Sequence, residues 1–122
     1  RLLDNTLMIK NSENIFFAGQ ITGTEGYCES GAGGIIAGIN LARKLTGNKC
    51  FVLPNTTMIG ALLAYVSDEN ITNFQPMGAN MGILPPLETQ IRGKDERYKR
   101  LAERGLADLD GLLKGASYEN CN

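Results

Sequence analysis

Histidine is absent from this sequence. Its absence removes Ser-His-Asp and Cys-His machineries from the chain, together with metal sites built on imidazole. Cysteine is scarce: Cys28, Cys50 and Cys121, with no C-x-x-C pair. An odd number at unpaired spacings argues against a disulfide framework and for a reducing, cytoplasmic setting. No run of 18 apolar residues occurs, so no membrane span is expected. No signal peptide or lipidation motif is visible. The net charge of −1 gives no global basicity that would announce nucleic acid. There is no internal repeat. What is present is 122 residues, 43% hydrophobic and 20% charged, the composition of one globular core. The chain starts at Arg1 rather than Met, with a strand signal almost at once, and reads as the C-terminal piece of a longer protein.

The stretch from Asn14 to Gly47 organises the rest. An apolar run, Ile15 to Ala18, ends at Gly19. A polar, glycine-punctuated loop follows to Tyr27, and a helical pattern runs from near Glu29 to Gly47. Strand, Gly-rich turn and helix in this order form the unit with which α/β proteins hold nucleotide cofactors. The helix carries Gly31, Gly33, Gly34 and Gly38, each less favourable than Ala by roughly 0.8–1.0 kcal/mol. Gly31, Gly34 and Gly38 share one face. Either a ligand or a tightly packed element must approach there. Ile35, Ile36, Ile39, Leu41, Ala42 and Leu45 are expected to supply the packing surface. G-A-G-G is neither G-x-G-x-x-G nor a P-loop.

Elsewhere, Thr6–Ile9 is a strand candidate that could pair with Ile15–Ala18 at the edge of a larger sheet, with Lys10–Asn14 as the turn. Met58, Ile59, Leu62, Leu63 and Val66 predict an amphipathic helix capped by Asn55, Thr56 or Thr57. Phe74–Leu87, with three prolines and two glycines among apolar residues, is too apolar for a solvated loop and too broken for a helix. It is expected to wrap the domain as a lid, or to wall a substrate pocket. Tyr98, Leu101, Ala102, Gly105, Leu109, Leu112 and Leu113 predict a last helix over Lys94–Leu113, with Ala116–Asn122 as a polar tail. The cations near its start are mixed with Asp95, Glu96 and Glu103 and read as a solvated face. Cys28, near a helix start, reads as a small buried hydrophobe rather than a reactive thiol.

F-F-A-G-Q-I-T-G-x-E-G-Y-x-E-S, over Phe16–Ser30, closely resembles the C-terminal flavin-contact motif of the folate- and FAD-dependent tRNA (uracil-5-)-methyltransferases. These bacterial flavoproteins are related to the glucose-inhibited division protein A family. F-Q-P-M-G-A-N-M-G-I-L-P-P-L, over Phe74–Leu87, resembles the same methyltransferase branch. The sequence departs from the family pattern at Cys28, usually aliphatic, at Gly78, usually Asn, and at Met81, usually Phe.

The resemblance implies an α/β fold: a C-terminal fragment of an FAD-binding Rossmann-like domain, with a short strand pair, about three helices and a Pro-rich irregular segment. Residues 1–122 form one fragment, divided into the flavin motif (1–47), a helix and lid (48–91) and a last helix with its tail (92–122). The resemblance assigns flavin contact to Gly19, Gln20, Ile21 and Thr22, and also to Tyr27 and Ser30. No catalytic residue and no metal ligand is assigned. The parent protein would bind FAD, use NADH or NADPH and methylenetetrahydrofolate, and act on tRNA, and the chain would pack against the remainder of that polypeptide. The lid would then border the folate or tRNA pocket, and the basic helix start could touch tRNA phosphate. The isolated chain is expected to be inactive and to bind FAD weakly or not at all. Two other readings stand: a related flavoprotein that modifies the wobble uridine, and a free-standing interaction module whose glycines serve only packing.

Overall fold

A computed structural model describes the backbone of residues 2–120 and the side chains of residues 2–115; Cys121 lies outside them. The elements in order are a short 3-10 turn at Gln20–Thr22, helix α1 (Tyr27–Leu45), helix α2 (Met58–Ser67), a second 3-10 turn at Met81–Ile83 and helix α3 (Lys94–Asn120). No β-strand forms among the described residues. The predicted strand pair is reduced to isolated antiparallel bridges, Leu3 with Ile9 and Met8 with Phe16. Ile9 N–H donates to Ile15 O at 2.9 Å and Phe17 N–H to Leu7 O at 3.0 Å. Two features stop the ladder. Asp4 folds the chain back by accepting from Thr6 N–H at 2.8 Å, and Leu7 and Asn11 adopt positive φ of 69° and 65°. A hairpin with no third strand beside it has little to hold it extended.

α1 begins two residues earlier than the pattern suggested, so Tyr27 lies in its first turn. Arg43 and Lys44 in its last turn and Glu29 in its first match the helix dipole. Its inward face also differs from expectation. Gly33, Ile36, Ala37 and Asn40 are buried, at i, i+3, i+4 and i+7. Ile35, Ile39 and Leu45, expected to pack, are exposed by 66%, 40% and 73%. Nothing lies within 4 Å of where a Cβ would stand on Gly31, Gly34 or Gly38.

The core joins Leu7, Ile36, Ala37, Leu63 and Val66, with Phe16, Phe51, Tyr65 and Phe74 packed around it. Asn40 sits inside it, fully buried. Its amide donates to Thr6 O at 3.1 Å and to Phe51 O at 3.0 Å, and its Oδ1 accepts from Phe51 N–H at 2.5 Å. One side chain thus fastens the N-terminal segment and residues 50–53 to α1. α2 forms where the apolar period placed it, and Thr57 is the cap, accepting from Gly60 N–H at 3.0 Å.

α3 docks at Gly105, where a Cβ would fall 2.6 Å from Thr56 O. Beside it, Thr56 Oγ1 donates to Asp108 Oδ2 at 2.6 Å. Arg104 donates to the carbonyls of Pro85 and Pro86 at 2.5 and 3.1 Å. The helix backbone continues to Asn120, through the start of the predicted tail. No described helix is long and apolar enough to cross a membrane.

Candidate functional site

The loop between Ala18 and α1 is a built turn rather than a solvated connection. Gly19 O accepts three hydrogen bonds: from Thr22 N–H at 3.0 Å, Thr22 Oγ1 at 2.8 Å and Thr24 Oγ1 at 3.1 Å. Thr22 and Thr24 are consequently buried. The carbonyl is held inward, and the first N–H groups of the turn, on Gln20 and Ile21, have no backbone acceptor among the described residues. Ile21 is 75% exposed.

Gly23 closes the turn at φ 98°. The Phe74 ring lies so close that a Cβ at this position would stand 2.3 Å from its Cζ. Phe74 stacks on Tyr65 of α2, ring centroids 5.4 Å apart. Tyr65 OH in turn donates to Gln75 O at 2.8 Å. The turn therefore rests on an aromatic pair anchored in the core.

The Pro-rich segment is bonded to this loop. Met77 N–H donates to Gly23 O and Glu25 N–H to Met77 O, both at 2.9 Å, a parallel bridge between Thr24 and Met77. Ala79 N–H donates to Glu29 Oε1 at 3.3 Å. Arg104 holds the far end through the two proline carbonyls. Residues 74–87 are thus a strap fastened at its start, middle and end. It is irregular apart from the turn at Met81–Ile83, which Asn80 caps by accepting from Gly82 N–H at 3.0 Å.

Above the turn lies a cavity of about 500 Å³. Leu2, Leu3, Ile9, Phe17, Ile21, Val66, Phe74 and Pro76 make its walls apolar, and Gln20, Thr22 and Gly23 form one side. This is the size and composition of a small-molecule site: apolar walls with a few polar groups in fixed positions.

Of the residues singled out in the sequence, Gln20, Ile21 and Thr22 come together at this cavity. Gly19 sets the turn through its carbonyl. Tyr27, 97% exposed, and Ser30, whose buried hydroxyl has no hydrogen-bond partner among the described residues, stand in the first turn of α1 and do not line the cavity. Cys28 is exposed, which overturns its reading as a buried hydrophobe. Sequence reasoning missed Phe74, Tyr65 and Glu29 as supports of the loop. Glu29 lies inside the quoted motif, and its position three residues after Gly26 was the available signal.

Residues 1–49 match the family model described as glucose inhibited division protein A. The chain is 48% identical over 113 residues to a methylenetetrahydrofolate–tRNA-(uracil-5-)-methyltransferase TrmFO of Halalkalibacterium halodurans. It is 50% identical over 115 residues to the protein of that name from Dictyoglomus thermophilum, and 50% identical over 113 residues to that from Streptococcus uberis. These alignments cover 92–93% of this chain and 26% of each relative. The chain therefore spans about a quarter of the length of the curated relatives it matches.

Proposed function

We propose that this chain is the C-terminal part of a folate- and FAD-dependent tRNA (uracil-5-)-methyltransferase, and that its Gln20–Thr22 turn walls the pyrimidine end of the flavin. The observation that carries this reading is that relatives named for that activity align over 92–93% of the chain. Those alignments favour it over a wobble-uridine-modifying flavoprotein, because the broader family model matches only residues 1–49.

When bound, FAD reduced by NADH or NADPH supplies the reducing equivalents that turn a one-carbon unit of methylenetetrahydrofolate into the 5-methyl group of a T-loop uridine. The chain's own residues bind and orient. The N–H groups of Gln20 and Ile21 are free to donate to carbonyl or anionic acceptors on a heteroaromatic edge. Thr22 and Thr24 keep the Gly19 carbonyl away from that edge. Phe17, Ile21 and Phe74 offer the apolar surface on which a ring system would rest, and its seating would shield those bonds from water. The start of α1, which follows the loop, adds partial positive charge. This donor set fits the pyrimidine edge of a flavin. The strap stands beside it as the border of the folate or tRNA pocket.

Isolated, the 122 residues would be inactive, because the pyrophosphate cradle and the chemistry-bearing residues belong to the remainder of the polypeptide. The bare face of α1, with Gly31, Gly34 and Gly38 beside exposed Ile35 and Ile39, is the surface we assign to that remainder as part of a Rossmann-like domain. The protein would work in the cytoplasm.

The test uses the full-length protein that carries this segment. It should purify with FAD and transfer labelled carbon from methylenetetrahydrofolate to a tRNA transcript. Gln20→Pro deletes one N–H at a turn position that tolerates proline. A hydrogen bond to a charged acceptor is worth about 1.5–3 kcal/mol, so FAD affinity should fall roughly 10- to 100-fold. Gln20→Ala keeps the N–H and should cost less. A full-length protein that neither holds FAD nor methylates tRNA refutes the assignment.

A further inference from the structure

The composition hides a local charge asymmetry. Residues 92–104 carry six cations (Arg92, Lys94, Arg97, Lys99, Arg100, Arg104) against three acids (Asp95, Glu96, Glu103), a surplus of three positive charges, while the whole chain has a net charge of −1. The fold decides where these charges point. Leu101 and Gly105 are buried and turn one side of α3 inward. Arg92, Lys94, Arg97, Lys99 and Arg100 are all exposed.

Most of these cations are not neutralised among the described residues. Arg100 pairs with Glu96 at 3.1 Å. Arg92, Lys94, Arg97 and Lys99 form no ion pair among the described residues. Lys94 and Arg97 instead share one aromatic ring: their charged groups lie 5.4 and 5.5 Å from the Tyr98 centroid. Such contacts hold a cation in place while leaving its charge available.

The patch is joined to the candidate flavin turn. Arg97 lines a cleft with Leu84, Pro85, Leu87 and Ile91, directly after the strap. Arg104, one helical row along, grips the strap's proline carbonyls, and the strap's other end is bonded to Gly23 and Glu25. The strap therefore sets the basic helix start relative to the turn.

We infer that the start of α3, through Lys94, Arg97 and Lys99 with Arg92 beside them, is a docking surface for the phosphate backbone of the RNA substrate. This rests on the methyltransferase reading and names where that substrate is held. Lys94 to Arg100 spans about 9 Å of α3 at helical rise, with Arg92 just before the helix. Arg97 and Lys99 project about 160° apart around the helix axis, so the cations surround the helix start, which suits several backbone phosphates better than the single diphosphate of a dinucleotide. The contact positions the RNA and carries no sequence information.

The test compares full-length protein with its Lys94→Ala/Arg97→Ala/Lys99→Ala variant, measuring affinity for a tRNA transcript between 50 and 200 mM salt. Each lost phosphate contact removes about 0.7–0.9 from the slope of log K against log salt. The triple variant should therefore show a slope shallower by about 2–3, equivalent to a roughly 20- to 40-fold smaller loss of affinity across that range. FAD content should be unchanged, because the three side chains are exposed and distant in sequence from the turn. Arg97→Lys alone should retain the wild-type slope. Equal slopes and affinities for wild type and triple variant, with wild type binding tRNA, would overturn the surface and leave the methyltransferase reading standing. A triple variant altered only in its KM for the nicotinamide cofactor would overturn it in favour of a dinucleotide site. A wild-type protein that does not bind tRNA would refute both.

Discussion

Replacing Asn40 with Ala should unfasten the fold from within. The side chain is fully buried and makes three hydrogen bonds, to Thr6 O, Phe51 O and Phe51 N–H. Truncation leaves all three backbone groups without their partner. Thr6 is itself buried, so its carbonyl would bear the full cost of an unmade bond, about 1–3 kcal/mol. Phe51 is half-buried, and water can partly satisfy its two groups, for about 1 kcal/mol each. The total is about 3–5 kcal/mol, a large fraction of the roughly 5–15 kcal/mol that a domain has in all. Urea denaturation of the full-length protein or of the chain should show a midpoint lower by about 1.5–2.5 M, for a slope near 2 kcal/mol/M. Faster hydrogen exchange at the Phe51 amide should accompany it. Asn40→Asp would keep the acceptor for Phe51 N–H but remove both donors and bury a charge, so it should be at least as damaging. A cost below about 1 kcal/mol for Asn40→Ala, with Phe51 exchange unchanged, would refute the clamp.

Two further outcomes follow from single contacts. Gly23→Ala combines a positive φ with a Cβ 2.3 Å from the Phe74 ring, and should cost about 2–4 kcal/mol from backbone strain and a displaced aromatic stack. Adding Phe74→Leu should recover part of that loss in a double-mutant cycle, and strict additivity would argue against the contact. Glu69, at the surface, has its carboxyl held below the ordinary value by the hydrogen bond and charge of Lys10. Its contribution is therefore present above the ordinary carboxylate pKa and is lost as pH falls through the depressed folded value. Glu69→Gln should flatten stability against pH in the acid range, and the difference should shrink in salt; an unchanged profile would sink the pairing.

How much of this was legible in the sequence varied with the kind of signal. α2 was readable because Ile59, Leu63 and Val66 recur at helical spacing and pack in the core, and Thr57 is a good cap. The existence of α1 was readable, but its orientation was not. Apolar weight alone assigned Ile35, Ile39 and Leu45 to the interior, whereas the buried stripe is the smaller Gly33, Ile36, Ala37 and Asn40. A rule that turns the most apolar face inward fails on a helix with two faces to cover. Asn40, a polar residue in register with Ile36 and Ala37, was the one mark of the true face. The strand pair failed for a different reason. Ile15–Ala18 has the composition of a strand, but strand formation also depends on neighbours, and here it meets the Thr6–Ile9 segment only through the isolated bridge at Met8–Phe16 and its two flanking hydrogen bonds. The strap's attachment was illegible, since Thr24 and Met77 meet through backbone groups that leave no trace in side-chain pattern.

The same distinction separates scaffold from contact within the quoted motif. Thr22 and Thr24 are accounted for by the Gly19 carbonyl, Gly23 by its φ and the Phe74 ring, and Glu29 by the Ala79 amide. Each has an internal partner that explains its identity without any ligand. Gln20, Ile21 and Tyr27 have none: their side chains are exposed, and no hydrogen bond or ring contact engages them among the described residues. An apolar side chain left in water at a turn, and an aromatic one at a helix start, cost more than polar residues would. On the proposed reading, these are the side chains left to meet the flavin and the remainder of the polypeptide. Binding measurements on Ile21 and Tyr27 variants of the full-length protein consequently bear on the site more directly than variants of Thr22 or Glu29. Those would move stability and binding together.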